Sequence, residues 1–258
     1  MTLREKVLIL TPVKNGAPYI AGHFERLNGL SYPHELLSVG VLESDSVDNS
    51  MALLQRMKDA YEVNFRSVTL CKRDFNFHLP AGVPRWAPSV QIQRRSILAR
   101  CRNHLLFSAL DDEDWVLWLD VDVIRYPRDL IERLLSFNKD ILHPNCVKEP
   151  GGPSFDLNAW RDHGKLHQHD LRGGDELVPL DAVGGTVLFV RANCHRDGLI
   201  FPPFLYGKQN SKVRTNRPDF DAPDESGEIE TEGFGILASD MNLQCWGVPN
   251  LEVQHANR

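Results

Sequence analysis

Short unbroken apolar runs alternate with stretches in which apolar residues recur every three or four positions. The first three runs cover residues 7–10, 37–42 and 68–70, and the periodic stretches cover 19–30 and 51–61. An unbroken run of this length is typical of a parallel strand buried on both faces, and the longer period is typical of an amphipathic helix. The alternation predicts an α/β fold with a mostly parallel, Rossmann-like central sheet flanked by helices.

The middle of the chain predicts a long helix followed by a buried strand. The helix runs from about Gln91 to Leu110 and has one apolar face. Its arginines lie mostly off that face: Arg94, Arg95, Arg100 and Arg102. An acidic cluster at 111–114 then leads into the apolar run WVLWL at 115–119, which predicts a strand buried in the sheet.

Two later stretches predict loops. Residues near 144–180 and 207–230 are polar and rich in glycine, proline or charge, so we expect both to be long, mobile loops. A helix is predicted after the second loop, from Ile236 to Leu243. Because no repeat or linker divides the chain, we predict a single domain over residues 1–258.

Two acidic residues, Asp120 and Asp122, directly follow the buried apolar run. Side chains alternate along an extended chain, so both should point to the same side, about 6–7 Å apart. The carboxyl edge of a parallel sheet is where ligands bind in open α/β folds. A divalent cation shared with a diphosphate would stabilise both carboxylates, and hard oxygen ligands suit Mg²⁺ or Mn²⁺. The alternative is a solvated turn.

Four further features have both a functional and a structural interpretation. The helix arginines could clamp a diphosphate with their planar guanidinium groups, or form surface ion pairs with residues 111–114. Gly184 and Gly185 could let the backbone approach a ligand, or form a tight turn. The carboxylates within 228–232 could hold an acceptor hydroxyl, or interact with a helix dipole. His255, taken alone, is typical of a structural histidine.

Composition and charge narrow the classes of function. Lys and Arg number 29 against 35 Asp and Glu, which gives a formal net charge of −6, so we expect no nucleic-acid partner. The 5 cysteines are scattered singly, which predicts buried free thiols in a reducing compartment. No apolar run reaches the roughly 20 residues that cross a bilayer. We therefore expect no transmembrane segment and a cytoplasmic location.

Seven segments, taken in order, resemble one known family. They are TPVKN, ESDSVDNS, RRSILARCRN, WVLWLDVDV, DAVGGTVLFVRA, ETEGFG and a terminal histidine. The set is similar to the fungal mannan-polymerase mannosyltransferases of the Anp/Van type and extends from about Val7 to His255. The resemblance implies a GT-A glycosyltransferase that uses GDP-mannose and Mn²⁺ (or Mg²⁺). It also implies transfer of mannose to a carbohydrate acceptor in α-1,6 linkage, with retention of the anomeric configuration.

The resemblance also implies roles for individual residues. It places three residues at the metal, with Asp120 contacting either the metal or the donor ribose: Asp120, Asp122 and His255. It places residues of two loops at the nucleoside: Thr11, Pro12, Asn15, Glu43 and Asp45. It places Arg95 and Arg102, two residues of the arginine motif, on the donor side, and Gly184 and Gly185 of the segment DAVGG remain candidates for close contact with the donor. Glu230 and Glu232 match the motif that lines the acceptor and sugar pocket.

In this reading, the metal bound at Asp120 and Asp122 would neutralise charge on the leaving diphosphate, and Arg95 or Arg102 would assist. Retention leaves two routes open. In the first, the acceptor attacks on the front face and the departing phosphate takes its proton. In the second, a carboxylate acts as nucleophile, by analogy with hydrolases, and Glu230 or Glu232 would supply it.

One departure from the family and three rival functions stay open at this point. Fungal members carry an N-terminal membrane anchor and work in the Golgi, whereas this sequence begins almost at its first strand; a soluble relative or a chain without its anchor would explain this. The chain could be a non-catalytic scaffold subunit of a homo- or hetero-oligomer, or could use another nucleotide sugar. A sugar nucleotidyltransferase is disfavoured, because TPVKNG is a poor match to a Gly-rich phosphate loop.

Overall fold

The computed structural model describes residues 5–214 and 227–256. Its helices are α1 (Ala17–Asn28), α2 (Ser50–Tyr61), α3 (Pro88–Ala109), α4 (Leu130–Ser136), α5 (Ala192–Arg196) and α6 (Glu230–Asp240). Its strands are β1 (Val7–Val13), β2 (Leu37–Glu43), β3 (Ser67–Lys72), β4 (Trp115–Leu119), β5 (Val123–Arg125), β6 (Ile141–Val147), β7 (Trp160–Arg161), β8 (Leu166–His167), β9 (Val178–Leu180), β10 (Val187–Arg191) and β11 (Cys245–His255).

A 9-stranded sheet runs through the described part of the chain, in the order β3-β2-β1-β4-β10-β6-β11-β5, with β9 paired to β11. Strands β3, β2, β1 and β4 are parallel, as the alternation of strands and helices predicts. Strand β10 is antiparallel to both β4 and β6, while β11 is parallel to β6. The predicted α/β fold is confirmed, and the sheet is parallel in its N-terminal half and mixed in its C-terminal half.

The side chains of β1 alternate between two hydrophobic cores. Ile9 belongs to the core that contains Phe24 of α1, and Leu10 belongs to the core that contains Leu105 of α3. All four side chains are essentially inaccessible to solvent. Because both faces of the strand are buried, successive positions must be apolar, and this explains the unbroken run in the sequence.

Helix α3 lies directly against the sheet at Gly40 of β2. A Cβ atom at Gly40 would lie 2.7 Å from Cδ2 of Leu10 and 3.0 Å from Cβ of Ala109, so the close approach depends on glycine. The buried residues of α3 include Arg95 and Arg102, although the sequence placed the arginines mostly off the buried side. These two arginines are seven positions apart and share a helix face, which they present to the polar site described below.

The stretch 144–180 differs from the predicted surface loop. Strand β6 continues to Val147, β9 covers 178–180, and Trp160 is fully buried. Polar side chains here are buried because they have partners: Oδ1 of Asn145 accepts from Oγ of Ser154 at 2.7 Å. A polar composition was therefore a misleading sign of exposure.

The second predicted loop, 207–230, falls partly outside the described residues, which exclude 215–226. Its end is helical, because α6 begins at Glu230 rather than at the predicted Ile236. The residues that precede the predicted helix therefore form its first turns.

Asp120 and Asp122 lie in a turn between β4 and β5. Strand β4 ends at Leu119, and the backbone N–H of Val123 donates to the carbonyl of Asp120 at 3.1 Å. The two aspartates are therefore not on one face of an extended strand, and the alternation argument for them was wrong. Their position directly after the carboxyl end of a buried strand is as predicted.

Two simpler predictions concern thiols and membrane spans. All five cysteines are free, four of them buried and Cys71 half-buried, as predicted. Among the described residues, no helix combines the length and the apolar character needed to cross a bilayer.

Candidate functional site

A cavity of about 460 Å³ opens at the carboxyl ends of β1, β2 and β4. This volume is in the range of small-molecule sites. Its polar or charged lining residues are Lys14, Asn15, Ser44, Asp45, His78, Arg85, Arg94, Arg102, Asp120 and Asp122. The cavity therefore combines three carboxylates with several cationic side chains, as an anionic ligand held together with a cation would require.

Asp122 and His255 lie side by side at the edge of this cavity. Nε2 of His255 is 3.1 Å from Oδ1 of Asp122, and Nδ1 of His255 donates to the carbonyl of Ala256 at 2.6 Å. The ring of Phe155 stacks on the His255 imidazole, with centroids 3.7 Å apart. A carbonyl on Nδ1 fixes the ring so that Nε2 faces the carboxylate, which is how metal-binding histidines are held.

The charges at this point are closely coupled. Burial raises the pKa of Asp120 to about 6, with Arg102 opposing the rise and Asp122 adding to it. Burial would lower the pKa of His255, but the Asp122 carboxylate outweighs it and raises that pKa. Two neighbouring carboxylates with this much desolvation are stabilised by a cation.

The donor set fits a divalent cation in chemistry. Two carboxylates and one imidazole are ligands that Mn²⁺ accepts, and carboxylates also suit Mg²⁺. Over residues 5–214 and 227–256, however, no group of three such side chains is already arranged to hold an ion. Because Asp122 and His255 are in contact with each other, an ion would have to replace the proton they share.

Arg102 connects several buried polar and charged groups at the cavity wall. Its Nε donates to Oε1 of Glu230 at 3.0 Å, and its Nη2 donates to Oδ1 of Asp120 at 3.3 Å and to the carbonyl of Gly185 at 3.1 Å. Its Nη1 is buried without a hydrogen-bond partner in the described structure. A cavity-lining guanidinium with a free donor can bind a phosphate oxygen.

Glu230, the first residue of α6, has a left-handed backbone with φ 58°. A non-glycine residue pays strain there, and such strain clusters at functional sites. Its carboxylate is almost fully buried and also accepts from Oγ1 of Thr231 at 3.0 Å. The surrounding contacts thus hold Glu230 in one orientation against Arg102.

Glu232 is held by contacts of a different kind. It is fully buried, pairs with Arg95 and with Nη2 of Arg214 at 2.6 Å, and accepts from Nε1 of Trp160 at 2.9 Å. Two guanidinium groups and an indole N–H occupy both of its oxygens. Neither Glu232 nor Arg95 lines the cavity.

Arg94 lines the cavity, whereas Arg95, which the family resemblance placed on the donor side, does not. Burial lowers its pKa, and the neighbouring Arg85 adds to that effect. Within the described part of the chain, its side chain makes no ion pair. The helical period does not distinguish the two positions, because Arg94 and Cys101, like Arg95 and Arg102, are seven positions apart and both Cys101 and Arg102 line the cavity.

The predicted nucleoside residues divide into cavity wall and support. Pro12, Asn15 and Asp45 line the cavity. Thr11 is fully buried behind it, where its hydroxyl donates to the carbonyl of Leu119 at 2.8 Å. Glu43 also lies behind the wall, pairing with a lysine of β3 and accepting from the backbone N–H of Ser46.

Asp45 shapes the wall as well as lining it. Its carboxylate accepts the backbone N–H groups of Phe75, Asn76 and Phe77, at 3.2, 2.9 and 3.3 Å. These bonds hold the 75–77 segment over the cavity, where Phe77 is also a lining residue.

Gly184 and Gly185 have charged side chains where a Cβ would be. The position above Gly184 is filled by the carboxylate of Asp156, and the position above Gly185 by the guanidinium of Arg102. These glycines therefore allow charged groups of the chain itself to approach the backbone. Asp156 and Phe155 are site residues that the sequence analysis missed, because both lie in the stretch that it predicted to be a surface loop.

Comparison with known proteins gives both close sequence relatives and a fold match. The mannan polymerase II complex anp1 subunit of Schizosaccharomyces pombe is 29% identical, over 98% of this chain and 64% of that protein. The mannan polymerase complex subunit MNN9 of Candida albicans is 30% identical, over 98% of this chain and 75% of that protein. This chain therefore corresponds to about two thirds to three quarters of the length of these relatives.

The structure of the mannosyltransferase PcManGT from Pyrobaculum calidifontis, solved in complex with GDP-Man and Mn²⁺, matches 99% of this chain and 58% of that one. The TM-score is 0.64 at 16% identity. At this identity the match establishes the fold, which is that of GT-A glycosyltransferases. The Anp1 family model matches residues 1–172 and 163–205. With this match and the relative at 30% identity, the chain belongs to the Anp1 family.

Proposed function

We propose that this protein is a metal-dependent glycosyltransferase that moves mannose from GDP-mannose to a carbohydrate acceptor, with retention of configuration and in α-1,6 linkage. The observation that carries the proposal is that Asp120, Asp122 and His255 lie together at the edge of the cavity. Arg94 and Arg102 line the same cavity. Support comes from relatives named as mannan polymerase subunits and from a fold neighbour solved with GDP-Man and Mn²⁺.

The residues have distinct parts in this reaction. Asp120, Asp122 and His255 would hold Mn²⁺ or Mg²⁺, which when bound supplies positive charge to the departing diphosphate. Arg102 is held by Glu230 and Asp120 and keeps Nη1 free for a phosphate oxygen. Arg94 adds a second cation from the cavity wall. Cations fixed before the reaction stabilise charge that develops as the glycosidic bond breaks.

The contacts favour front-face attack over a carboxylate nucleophile. The oxygens of Glu232 are engaged by Arg95, Arg214 and Trp160, and an oxygen of Glu230 is engaged by Arg102. A nucleophile needs a free lone pair directed at the sugar. In the front-face route, the departing phosphate accepts the proton of the acceptor hydroxyl, and Glu230 orients Arg102 beside that phosphate.

A second candidate function rests on the relatives' names. Both are called subunits of mannan polymerase complexes, so this chain could act as a scaffold in a hetero-oligomer. The presence of Asp120, Asp122 and His255 in one place favours catalysis. A different nucleotide sugar is the other alternative.

The test is incubation of the purified chain with a panel of GDP- and UDP-sugars and Mn²⁺, with release of the nucleoside diphosphate as the readout. We expect release from GDP-mannose, dependence on the metal, and loss in the variant Asp122→Ala. The matched control is Asp162→Asn, an exposed carboxylate paired with Lys165. Release from UDP-sugars alone would overturn GDP-mannose as the proposed donor. No release from any nucleotide sugar would favour the non-catalytic scaffold function.

A further inference from the structure

Asp156 is a buried carboxylate that lies behind the cavity and does not line it. It belongs to a short segment, 154–158, that contacts the site on several sides. Phe155 stacks on His255, and Oδ1 of Asn158 accepts from Nη2 of Arg95 at 3.3 Å. Asp156 lies between these two contacts, against the backbone of Gly184.

The main partner of Asp156 is Thr186. Oδ2 of Asp156 accepts the backbone N–H of Thr186 at 3.1 Å and its hydroxyl at 2.8 Å. The other oxygen accepts the backbone N–H of Asn158 at 3.3 Å. Both carboxylate oxygens of Asp156 therefore accept hydrogen bonds, and these bonds fix the positions of Thr186 and of the Asn158 backbone.

His143 of β6 also lies close to the Asp156 carboxylate. Its Nε2 is 3.8 Å from Oδ2 of Asp156, longer than an ordinary hydrogen bond. Its Nδ1 accepts from Nε2 of Gln168 at 2.7 Å, which leaves the ring proton on Nε2, facing Asp156. Burial alone would raise the pKa of Asp156, but His143 and Thr186 outweigh it and hold that pKa well below its usual range.

The backbone next to Asp156 leads directly to the proposed donor site. The carbonyl of Thr186 accepts the backbone N–H of Asp120 at 2.9 Å. The carbonyl of Gly185 accepts from Nη2 of Arg102 at 3.1 Å. Three consecutive residues, 184–186, thus connect Asp156 to the two charged groups that meet at the cavity edge.

We propose that Asp156 is a positioning residue of the donor site, which fixes the 184–186 backbone so that Asp120 and Arg102 can engage the metal and the diphosphate together. This inference rests on the proposed function, because it assigns Asp156 to the same site. Asp156 acts through Thr186 and Gly185 and does not itself contact the donor.

The hydrogen bonds that Asp156 accepts explain why a neutral asparagine could not replace it as the positioning residue. An asparagine of the same shape has only one acceptor oxygen, and its NH₂ group would face a donor: the Thr186 N–H, the Thr186 hydroxyl, the Asn158 N–H or the His143 ring. One donor would lose its acceptor, and a buried unpaired donor is costly. Loss of the acceptor at Thr186 releases the 184–186 backbone directly, and loss of the acceptor at Asn158 releases the segment that carries residue 156 against Gly184. In both cases the 184–186 backbone can shift away from the position that Asp120 and Arg102 need.

The experiment measures binding of GDP by calorimetry, once with Mn²⁺ and once with a chelator, for the purified chain and its variants. The variants are Asp156→Asn, Thr186→Val, which removes the hydroxyl donor at nearly constant shape, and Thr186→Ser, which keeps it. Asp162→Asn, in the same stretch of chain and exposed, is the control. Thermal melts report whether each variant is folded.

We expect Asp156→Asn and Thr186→Val to weaken GDP binding in the presence of Mn²⁺ by about tenfold. Binding without the metal should fall by less, because only the contact between Arg102 and the diphosphate is then weakened, and Thr186→Ser should stay close to the parent chain. Equal losses with and without Mn²⁺, or no loss in either variant, overturn the proposal. If Asp156→Asn does not fold, the contrast between Thr186→Val and Thr186→Ser decides.

The proposed function can fail separately from this inference. If the parent chain binds UDP with Mn²⁺ and not GDP, the donor proposed above is wrong, and the same variants are measured with UDP. If the parent chain binds neither nucleotide, both the function and the role of Asp156 are overturned.

Discussion

Arg102 and Glu230 form a buried ion pair in which Nε donates to Oε1 at 3.0 Å. The guanidinium also reaches Asp120 and the carbonyl of Gly185. One side chain of α3 thus joins the strained first residue of α6 to the acidic turn after β4. The burial of both partners makes this pair sensitive to any loss of geometry.

Lysine at position 102 keeps the positive charge but loses the planar fork. One ammonium group cannot reach Glu230, Asp120 and the Gly185 carbonyl in their present positions. We expect Arg102→Lys to lower kcat/KM for GDP-mannose at least about a hundredfold and the free energy of unfolding by about 2 kcal/mol. Steady-state kinetics and urea unfolding measure the two effects. The exposed Arg100→Lys on the same helix should change neither.

Glu232 tests the choice between the two retaining routes. Glu232→Gln removes the charge between Arg95 and Arg214, so we expect the free energy of unfolding to fall by about 3 kcal/mol. The turnover of folded protein should stay within about tenfold of the parent chain. Loss of a covalent nucleophile costs about 10⁴-fold or more. A loss of that size in a folded Glu232→Gln chain would favour the nucleophile and refute front-face attack.

The elements that could be predicted from the sequence are those set by local pattern. The apolar runs of β1, β2 and β4 are visible because both faces of these strands are buried. Asp120 and Asp122 stand out because they follow such a run. The functional interpretation of His255 depended on family resemblance, since nothing in its local pattern distinguishes a ligand from a structural histidine.

What the sequence did not predict depends on partners distant in the chain. Asp156 is buried because Thr186, 30 positions away, supplies two donors. Gln168 is buried because His143, 25 positions away, accepts its amide N–H. Hydropathy records each of these side chains as polar and carries no information about such pairs, so the stretch 144–180 was interpreted as surface.

Gly184 provides a test of the close approach of Asp156. A Cβ at this position would overlap the Asp156 carboxylate, which is itself fixed by Thr186. We expect Gly184→Ala to lower the free energy of unfolding by about 2 kcal/mol, which is about 4–8 °C in Tm for a chain of this size. Gly174→Ala is the matched control, because only a backbone carbonyl at 3.4 Å lies near its Cβ position. Equal melting temperatures for the two variants would contradict the packing.

Acid should destabilise the fold through His195. Its Nδ1 donates to the carbonyl of Leu199 at 2.6 Å, and its Nε2 accepts from Nε1 of Trp118 at 3.4 Å, so the neutral ring fits the core. Burial lowers the pKa of His195 to about 4 and that of His23 to about 3. The unfolded chain takes up these protons near pH 6.5, before the folded chain does.

Because the unfolded chain takes up these protons first, the free energy of unfolding falls as the pH falls. Stability from these histidines is complete above about pH 6.5 and declines as the pH falls, by at most about 1.4 kcal/mol per pH unit for each. Urea midpoints between pH 7 and pH 4 measure the decline. His195→Gln, which keeps an acceptor for Trp118, should flatten the slope, whereas the exposed His78→Gln should leave it unchanged. A slope that is the same in all three chains refutes the role of His195.

The central claim is that Asp122 and His255 share a divalent cation beside a bound nucleoside diphosphate. The most direct measurement is titration of Mn²⁺ into the chain with saturating GDP, following free Mn²⁺ by electron paramagnetic resonance. We predict one tightly bound ion per parent chain, with affinity reduced at least about tenfold in Asp122→Ala and in His255→Ala and unchanged in Asp162→Asn. Equal Mn²⁺ affinity in all four chains would contradict the claim.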